Sequence, residues 1–324
     1  MATNNDSIVV QNNLPAVTQR PDFSGVIQHY LSGLQPNTLR TYEQAFGDFV
    51  LFISRRENRQ ISREETVYLL LANGHGQGNI LAHDYLVDMQ ARGLSASSIN
   101  NRLSALRKLV AVARVRGLVA WSLEVKNVSS QPYRDTRGPG VNAVQALLDA
   151  LGDRPKDIRD KAVVRLLYDL SLRRSEVVSL DAGDVELDRH TIRVLRKGKT
   201  EKTLLDLPKP TEKALGDWLE VRGEEEGALF INFDRAGKGR RLSGTSLYRN
   251  LKKLGKRVGV EVSPHGLRHT GITVAATKSQ EAGYRQRDLI QYSGHASSTT
   301  LDFYIDATEN LQGKIASMVA SEVE

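Results

Sequence analysis

The segment Ser263-Pro264-His265-Gly266-Leu267-Arg268-His269-Thr270 brings charged and titratable side chains to the start of a helix. Ser263 is placed to cap it, and Pro264 suits the first helical position. His265 and Arg268 then share a face as i and i+3, beside the partly positive helix N-terminus. That arrangement suits an anionic group such as a phosphate. His265 and His269, at i and i+4, also have the spacing of a metal pair. However, the segment lacks the glutamate of the metalloprotease helix and any nearby acidic third ligand, so no metal is expected. Two further segments add reactive types. In Leu170-Ser171-Leu172-Arg173-Arg174-Ser175-Glu176-Val177 an arginine stands close to a glutamate at the end of an apolar helix. In the run from Gly294-His295 to Phe303-Tyr304, a tyrosine follows a histidine by nine residues.

Composition removes several chemistries. The chain of 324 residues has no cysteine, which excludes disulfides, thiolate nucleophiles, iron–sulfur clusters and cysteine zinc sites. No Gly-x-x-x-x-Gly-Lys-Ser/Thr phosphate loop occurs. No apolar run reaches the roughly 18 residues of a membrane span, and the N-terminus lacks a signal pattern, so an intracellular protein is expected. The net charge of +7 is unevenly spread. Between Ser95 and Gly138, Arg102, Arg107, Lys108, Arg114, Arg116, Lys126, Arg134 and Arg137 face only Glu124 and Asp135. From Arg235 to Arg257 there are nine basic residues and no acidic one, among them Arg240, Arg241, Arg249 and Lys252. Each run alone reads as a solvated helix face. Two of them, joined by a basic linker, fit a chain that grips a polyanion from both sides.

These residues must be positioned by mostly helical elements. Residues 1–20 are Asn-rich and aperiodic, a mobile tail. A helix is expected from Thr38, with Asn37 as its cap, carrying Leu39, Tyr42, Phe46, Phe49, Val50 and Ile53 on one stripe. Short helices over Glu64–Ala72 and Ile80–Met89 flank a turn at Asn73-Gly74-His75-Gly76. A longer helix after Ser95 aligns Ile99, Leu103, Leu106 and Val110. Residues 21–128 thus read as a small helical domain, and the Pro/Gly/Ser-rich stretch 129–140 as a linker. Residues 141–324 follow, with helices over Val141–Leu151 and Ile158–Leu172, a hairpin of Thr191–Leu195 and Thr203–Leu207, further helices, and a last one at about 310–323.

With Arg173, a lysine turn, His265-x-x-Arg268, His295 and Tyr304 in this order, the sequence resembles the tyrosine recombinases of the phage integrase family. Asn37-Thr38-Leu39-Arg40-Thr41-Tyr42 is similar to the opening of that family's helical core-binding domain, so the resemblance spans nearly all of the chain after the tail. It implies a mainly α fold: an N-terminal SAM-like core-binding domain and an α+β catalytic domain with a small antiparallel sheet, together a C-shaped clamp on DNA. It also implies site-specific recombination through a 3′-phosphotyrosine and a Holliday junction, with no cofactor. The expected partners are double-stranded DNA with inverted-repeat half-sites, a homo-tetramer on two sites, and accessory proteins in some systems. The implied location is cytoplasmic and DNA-associated, in a bacterial, phage or plasmid setting.

The resemblance also implies the roles. Arg173 and Arg268 correspond to the pair that clamps the scissile phosphate, for which the planar, permanently charged guanidinium is suited. Tyr304 corresponds to the nucleophile, His265 to the acceptor of its proton, and His295 to a phosphate ligand that buttresses the tyrosine. Glu176 orients the site. In Arg196-Lys197-Gly198-Lys199-Thr200-Glu201-Lys202, a Gly-Lys-x-x-Lys match favours Lys199 as general acid; Lys197 is the alternative, and Lys202 is expected to meet the DNA backbone. Ser171 stands where the family often has glycine. DNA contacts are expected from Arg102, Arg107, Lys108, Arg114, Arg116, Arg134, Arg137, Arg240, Arg241, Arg249 and Lys252. On the last helix, Leu311, Ile315, Met318 and Val319 form an apolar stripe that either packs on its own domain or, as the resemblance implies, is donated to a neighbouring protomer. Two other functions use similar chemistry or charge. One is a type IB topoisomerase or telomere resolvase; the other is a DNA-binding accessory protein with an inactive site.

Overall fold

The computed structural model describes residues 22–23, 25–129, 138–234, 237–294 and 311–321, with the backbone alone for 311–315. The tail 1–20 and the linker residues 130–137, including Arg134 and Arg137, lie outside the described residues, as do His295 and Tyr304. The chain forms two compact units, residues 1–132 and 133–324.

In the first unit the described helices are α1 (Val26–Leu31), α2 (Pro36–Arg56), α3 (Arg63–Leu71), α4 (Gly74–Ala91) and α5 (Ala96–Val115). Helix α2 starts two residues before the expected Thr38. Pro36 occupies its first turn and Gln35 its cap, so Asn37 is already helical. Phe46, Phe49 and Ile53 of its stripe are buried together with Phe52. The expected turn at 73–76 is instead the first turn of α4. Gly78, in the second turn, is the glycine with a packing reason: a β-carbon there would stand 2.5 Å from the Trp121 ring and 2.8 Å from the Leu70 carbonyl. Helix α5 follows its sequence signals, with Ser95 accepting from the Ser98 amide and Ile99, Leu103, Leu106 and Val110 buried. Helix α1 lacks a sequence signal of its own because it is only one and a half turns long, yet Val26 and Tyr30 are fully buried in this core.

The second unit contains α6 (Val141–Asp149), α7 (Pro155–Tyr168) and α8 (Arg174–Ser179). A three-stranded antiparallel sheet follows, β1 (Val185–Glu186), β2 (Thr191–Leu195) and β3 (Lys202–Asp206), in the order β1-β2-β3. Next come α9 (Lys209–Arg222), α10 (Gly244–Arg257), α11 (Pro264–Glu281), α12 (Gln286–Ser293) and α13 (Leu311–Ala320). The core surrounds α7, where Leu166 and Leu167 meet Leu215 and Trp218 of α9 and Leu267 of α11. Helix α7 ends at Tyr168, four residues short of the expected Leu172. Ser171 adopts the left-handed conformation (φ 49), which breaks the helix although Leu170 and Leu172 remain buried. The end of the expected linker belongs to this unit, since the Gly140 amide donates to Thr270 Oγ1 on α11 (3.3 Å).

Candidate active site

Arg173 stands at the cap position of α8, and Glu176 reaches back to its amide (2.8 Å). The same carboxylate accepts from Arg173 Nη1 (2.8 Å) and from the Lys197 amide in the β2–β3 turn (3.1 Å). Glu176 therefore joins α8 to the lysine turn while itself only 2% exposed. Burial works to raise its pKa, but the hydrogen bonds and charge of Arg173 and the Lys197 amide outweigh it and hold the carboxyl below its ordinary range. Glu176 thus stays ionised at neutral pH.

Arg268 lies in the second turn of α11, which starts as its sequence requires: Ser263 accepts from the Gly266 amide (3.0 Å) and Pro264 fills the first turn. It is 1% exposed. Its Nη1 donates to the Ser171 carbonyl and its Nη2 to the Ser293 carbonyl (2.6 Å). Arg173 Nη2 donates to the next carbonyl, Gly294 (2.9 Å). Two arginines 95 positions apart in sequence thus end on consecutive carbonyls at the C-terminus of α12, immediately before His295. The negative end of a helix dipole favours cations there.

His265 is exposed on the first turn of α11, and its ring stands 3.9 Å from that of the buried His269, edge to face. Among the described residues no group of three His, Asp or Glu could hold a metal. Lys197 and Lys199 are both exposed in the β2–β3 turn, but the Glu176 bond is made by Lys197, whereas the Lys199 amide donates to the Arg196 carbonyl (3.0 Å). Lys202, expected at the DNA backbone, pairs with the buried Asp184 (2.6 Å).

Arg196 and Tyr292, to which the sequence assigned no role, belong to this cluster. Arg196 is 6% exposed and donates Nη2 to the Tyr292 carbonyl (3.2 Å). The signal for it was the strand period. Ile192 and Val194 point inward, and Arg196 is the next position on that face. Tyr292 Oη accepts from Ser171 Oγ (2.9 Å) and donates to the Asp169 carbonyl (3.0 Å), and burial pushes its pKa up.

Several expected DNA contacts have internal partners. Arg102 donates to Asp48 (3.1 Å) and Arg107 to the Val125 carbonyl. Arg241 pairs with Asp181 and donates to the Leu180 carbonyl (2.8 Å), and Lys252 pairs with Glu261 (2.9 Å). Lys108, Arg114, Arg116, Arg240 and Arg249 are exposed.

Comparison with known proteins covers both units. Residues 141–310 match the model of the phage integrase family, and residues 27–117 that of the phage integrase N-terminal SAM-like domain. A tyrosine recombinase of Synechocystis sp. is 31% identical over 310 residues, covering 92% of this chain and 97% of the relative. Another, from Synechococcus elongatus, is 34% identical over 294 residues, covering 88% and 89%. Among solved structures, the Tn1549 transposon integrase in complex with transposon right end DNA aligns with a TM-score of 0.63 at 16% identity, over 92% of this chain and 99% of that one. A lambda integrase dimer bound to a core site aligns with a TM-score of 0.61 at 15% identity, over 88% and 95%. The shared fold, the matched catalytic and SAM-like models, and relatives that align over about nine-tenths of the chain agree: the chain belongs to the phage integrase family, the site-specific tyrosine recombinases.

Proposed function

We propose that the chain cuts and rejoins duplex DNA at specific sites, with Tyr304 as nucleophile. The tyrosine oxygen bonds to the scissile phosphorus, the bond to the 5′-oxygen breaks, and a 3′-phosphotyrosine remains. The phenol proton passes to His265, and a lysine of the β2–β3 turn protonates the leaving 5′-oxygen. Arg173 and Arg268 stabilise the charge that builds on the phosphate oxygens, and His295 binds the same phosphate. Glu176 orients Arg173. A second transesterification rejoins exchanged strands through a Holliday junction, and each step replaces one phosphodiester with another, so no nucleotide cofactor is required.

The observation that carries this reading is the convergence of Arg173 and Arg268 on the carbonyls of Ser293 and Gly294, which brings both cations to the segment entering His295. The tie between Lys197 and Glu176 supports Lys197, in place of Lys199, as the general acid. The exposed Lys108, Arg114, Arg116, Arg240 and Arg249 supply phosphate contacts. Assembly of four protomers on two sites fits the exposure of Met318 (69%) and Val319 (64%) on α13, an apolar stripe available to a neighbouring protomer.

The test is covalent trapping. Random duplexes that become covalently attached to the wild-type chain are recovered and sequenced. Enrichment of one inverted repeat, a 3′ linkage, and loss of the adduct in Tyr304→Phe with DNA binding retained are expected. Relaxation of supercoiled DNA without an enriched site points to a topoisomerase, and binding with no adduct to an accessory protein.

A further inference from the structure

Three arginines, not two, end on the last turn of α12. Arg196 donates to the Tyr292 carbonyl, Arg268 to Ser293 and Arg173 to Gly294, three consecutive acceptors met by side chains from three different elements. The reaction proposed above uses Arg268 and Arg173 and leaves Arg196 without a task. Its placement is costly. The side chain is 7% exposed, and burial pulls its pKa below the ordinary arginine value. Leucine or methionine would fill the same inward position of β2 without that cost.

The contacts define what the guanidinium connects. On one side Nη2 holds Tyr292 of α12, and the guanidinium lies against Gly294, where a β-carbon would stand 2.6 Å from Nη1. Gly294 is left-handed (φ 61), so its backbone and its close approach to Arg196 both call for glycine. On the other side Nη1 stands 3.9 Å from Glu176 Oε2 and has no hydrogen-bond partner. The residue that follows is Lys197, whose amide is held by the same carboxylate. Arg196 is therefore the side-chain link between the end of α12 and the turn that carries Lys197.

We propose that Arg196 is a positioning residue for strand cleavage: it fixes the Lys197 turn against the C-terminus of α12, so that the acid faces the leaving oxygen. The proposal rests on the recombinase reading above, with Lys197 as acid. Without Arg196 the lysine turn keeps its amide bond to Glu176 but loses its side-chain anchor on α12. Protonation of the leaving group then becomes the weak step. Direct phosphate binding is not the role assigned, since the guanidinium lies beneath Gly294 and its Nη1 is inaccessible to solvent.

The test is single-turnover cleavage by the full chain at saturating DNA, using the duplex recovered by covalent trapping. It is compared with the same duplex carrying a 5′-phosphorothiolate, whose sulfur leaves without protonation. Arg196→Met should bind with a dissociation constant within about twofold of wild type and cleave ordinary DNA about 100-fold more slowly. Its defect should shrink to less than about fivefold on the phosphorothiolate, in parallel with Lys197→Ala. Arg196→Lys keeps the charge but not the fork, and should show the same substrate-dependent recovery from a smaller loss, about tenfold. Equal losses on both substrates, or wild-type cleavage by both variants, would overturn the proposal. If Lys197→Ala itself shows no recovery, the assignment of Lys197 as acid fails, and if the wild-type chain forms no adduct, the cleavage reading beneath it fails.

Discussion

The Asp48 network of the first unit and the arginine cluster at the end of α12 in the second use arginine in different ways. In the first, Asp48 on α2 accepts a two-pronged bond from Arg92 (2.9 Å to each oxygen) and a third from Arg102 (3.1 Å), with Tyr85 completing the set (2.6 Å). Arg92 also reaches Asp88 (2.8 Å), so carboxylates neutralise the cations and the network ties α2, α4 and α5 together. In the second unit, Arg173, Arg196 and Arg268 gather around backbone carbonyls, with Glu176 the carboxylate paired to Arg173. A guanidinium held by carboxylates on every side, as Arg92 is by Asp48 and Asp88, has spent its charge. One on a carbonyl is oriented but keeps it, and a phosphate oxygen can compete for the same N–H groups. On the reading proposed above, the first arrangement is a fastener, and in the second Arg173 and Arg268 serve as an anion receptor.

The largest expected effect breaks this comparison if it fails. Arg173→Ala and Arg268→Ala should each slow single-turnover cleavage by about 1,000-fold, as loss of a transition-state donor does. Arg92→Ala should leave cleavage at saturating DNA within about threefold. Arg268→Ala should also lower stability by about 2 kcal/mol, because the buried Ser171 and Ser293 carbonyls lose their donor. Comparable cleavage losses in Arg92→Ala and Arg173→Ala would erase the distinction between fastener and receptor.

Stability should show the converse. Asp48→Ala removes the acceptor shared by Arg92 and Arg102 and should cost about 3 kcal/mol in urea unfolding at pH 7. Hydrogen bonding and charge from Arg92, with help from Tyr85 and Arg102 against the effect of burial, hold the Asp48 carboxyl well below its usual range. Its folded pKa is thus lower than its unfolded value of about 4. The stabilisation is full above that unfolded value and is lost as pH falls through it toward the folded value. The difference between wild type and Asp48→Ala should therefore narrow below about pH 4; a gap independent of pH would show that Asp48 acts through packing alone.

A smaller effect separates fastened from free cations on the surface. Lys108→Ala, Arg114→Ala and Arg249→Ala should each reduce the slope of log affinity against log salt by about 1. Arg241→Ala, whose guanidinium is held by Asp181 and two carbonyls, should leave the slope unchanged and lower the melting temperature. Filter binding at several salt concentrations decides between them.

How much of this was legible depends on whether the cause is local. The start of α11 follows from Ser263 and Pro264, the start of α5 from Ser95, and the β2–β3 hairpin from its alternation, all within a few residues. Arg173, Glu176, His265 and Arg268 could be picked out by type and spacing. The turn expected at 73–76 failed because tertiary packing overrides its glycine content: α4 runs through it and buries Gly78, Ala82, Tyr85 and Met89 along its length. The end of α7 failed because Leu170 and Leu172 are as apolar as a helix would require but are buried beyond its last turn. The meeting of Arg268 with Ser171 and Ser293, and of Arg173 with Gly294, joins residues far apart in the chain and leaves no periodic trace. Arg196 was legible in principle, since the inward positions of β2 run on to it.

The smallest effect tests the other half of the comparison, the nature of the acceptor. In the first unit the acceptor is a side chain, so one substitution removes it. In the second the acceptors are main-chain carbonyls, which survive side-chain changes at their own positions. Ser171 is the sharpest case: its carbonyl takes Arg268, while its side chain sits at φ 49 and bonds Tyr292 Oη (2.9 Å). Ser171→Gly relieves about 1 kcal/mol of left-handed strain. It gives up a hydrogen bond worth about 1 kcal/mol and adds unfolded-state entropy of about 0.5–1 kcal/mol. Tyr292 keeps the Asp169 carbonyl as acceptor (3.0 Å), so no buried hydroxyl is orphaned. The net change in stability should be within about 1 kcal/mol, and cleavage should stay within about threefold of wild type because the Arg268 acceptor is still in place. A tenfold loss of cleavage with unchanged stability would mean that the Ser171 hydroxyl, through Tyr292, sets the end of α12, and that the receptor is held by side chains after all.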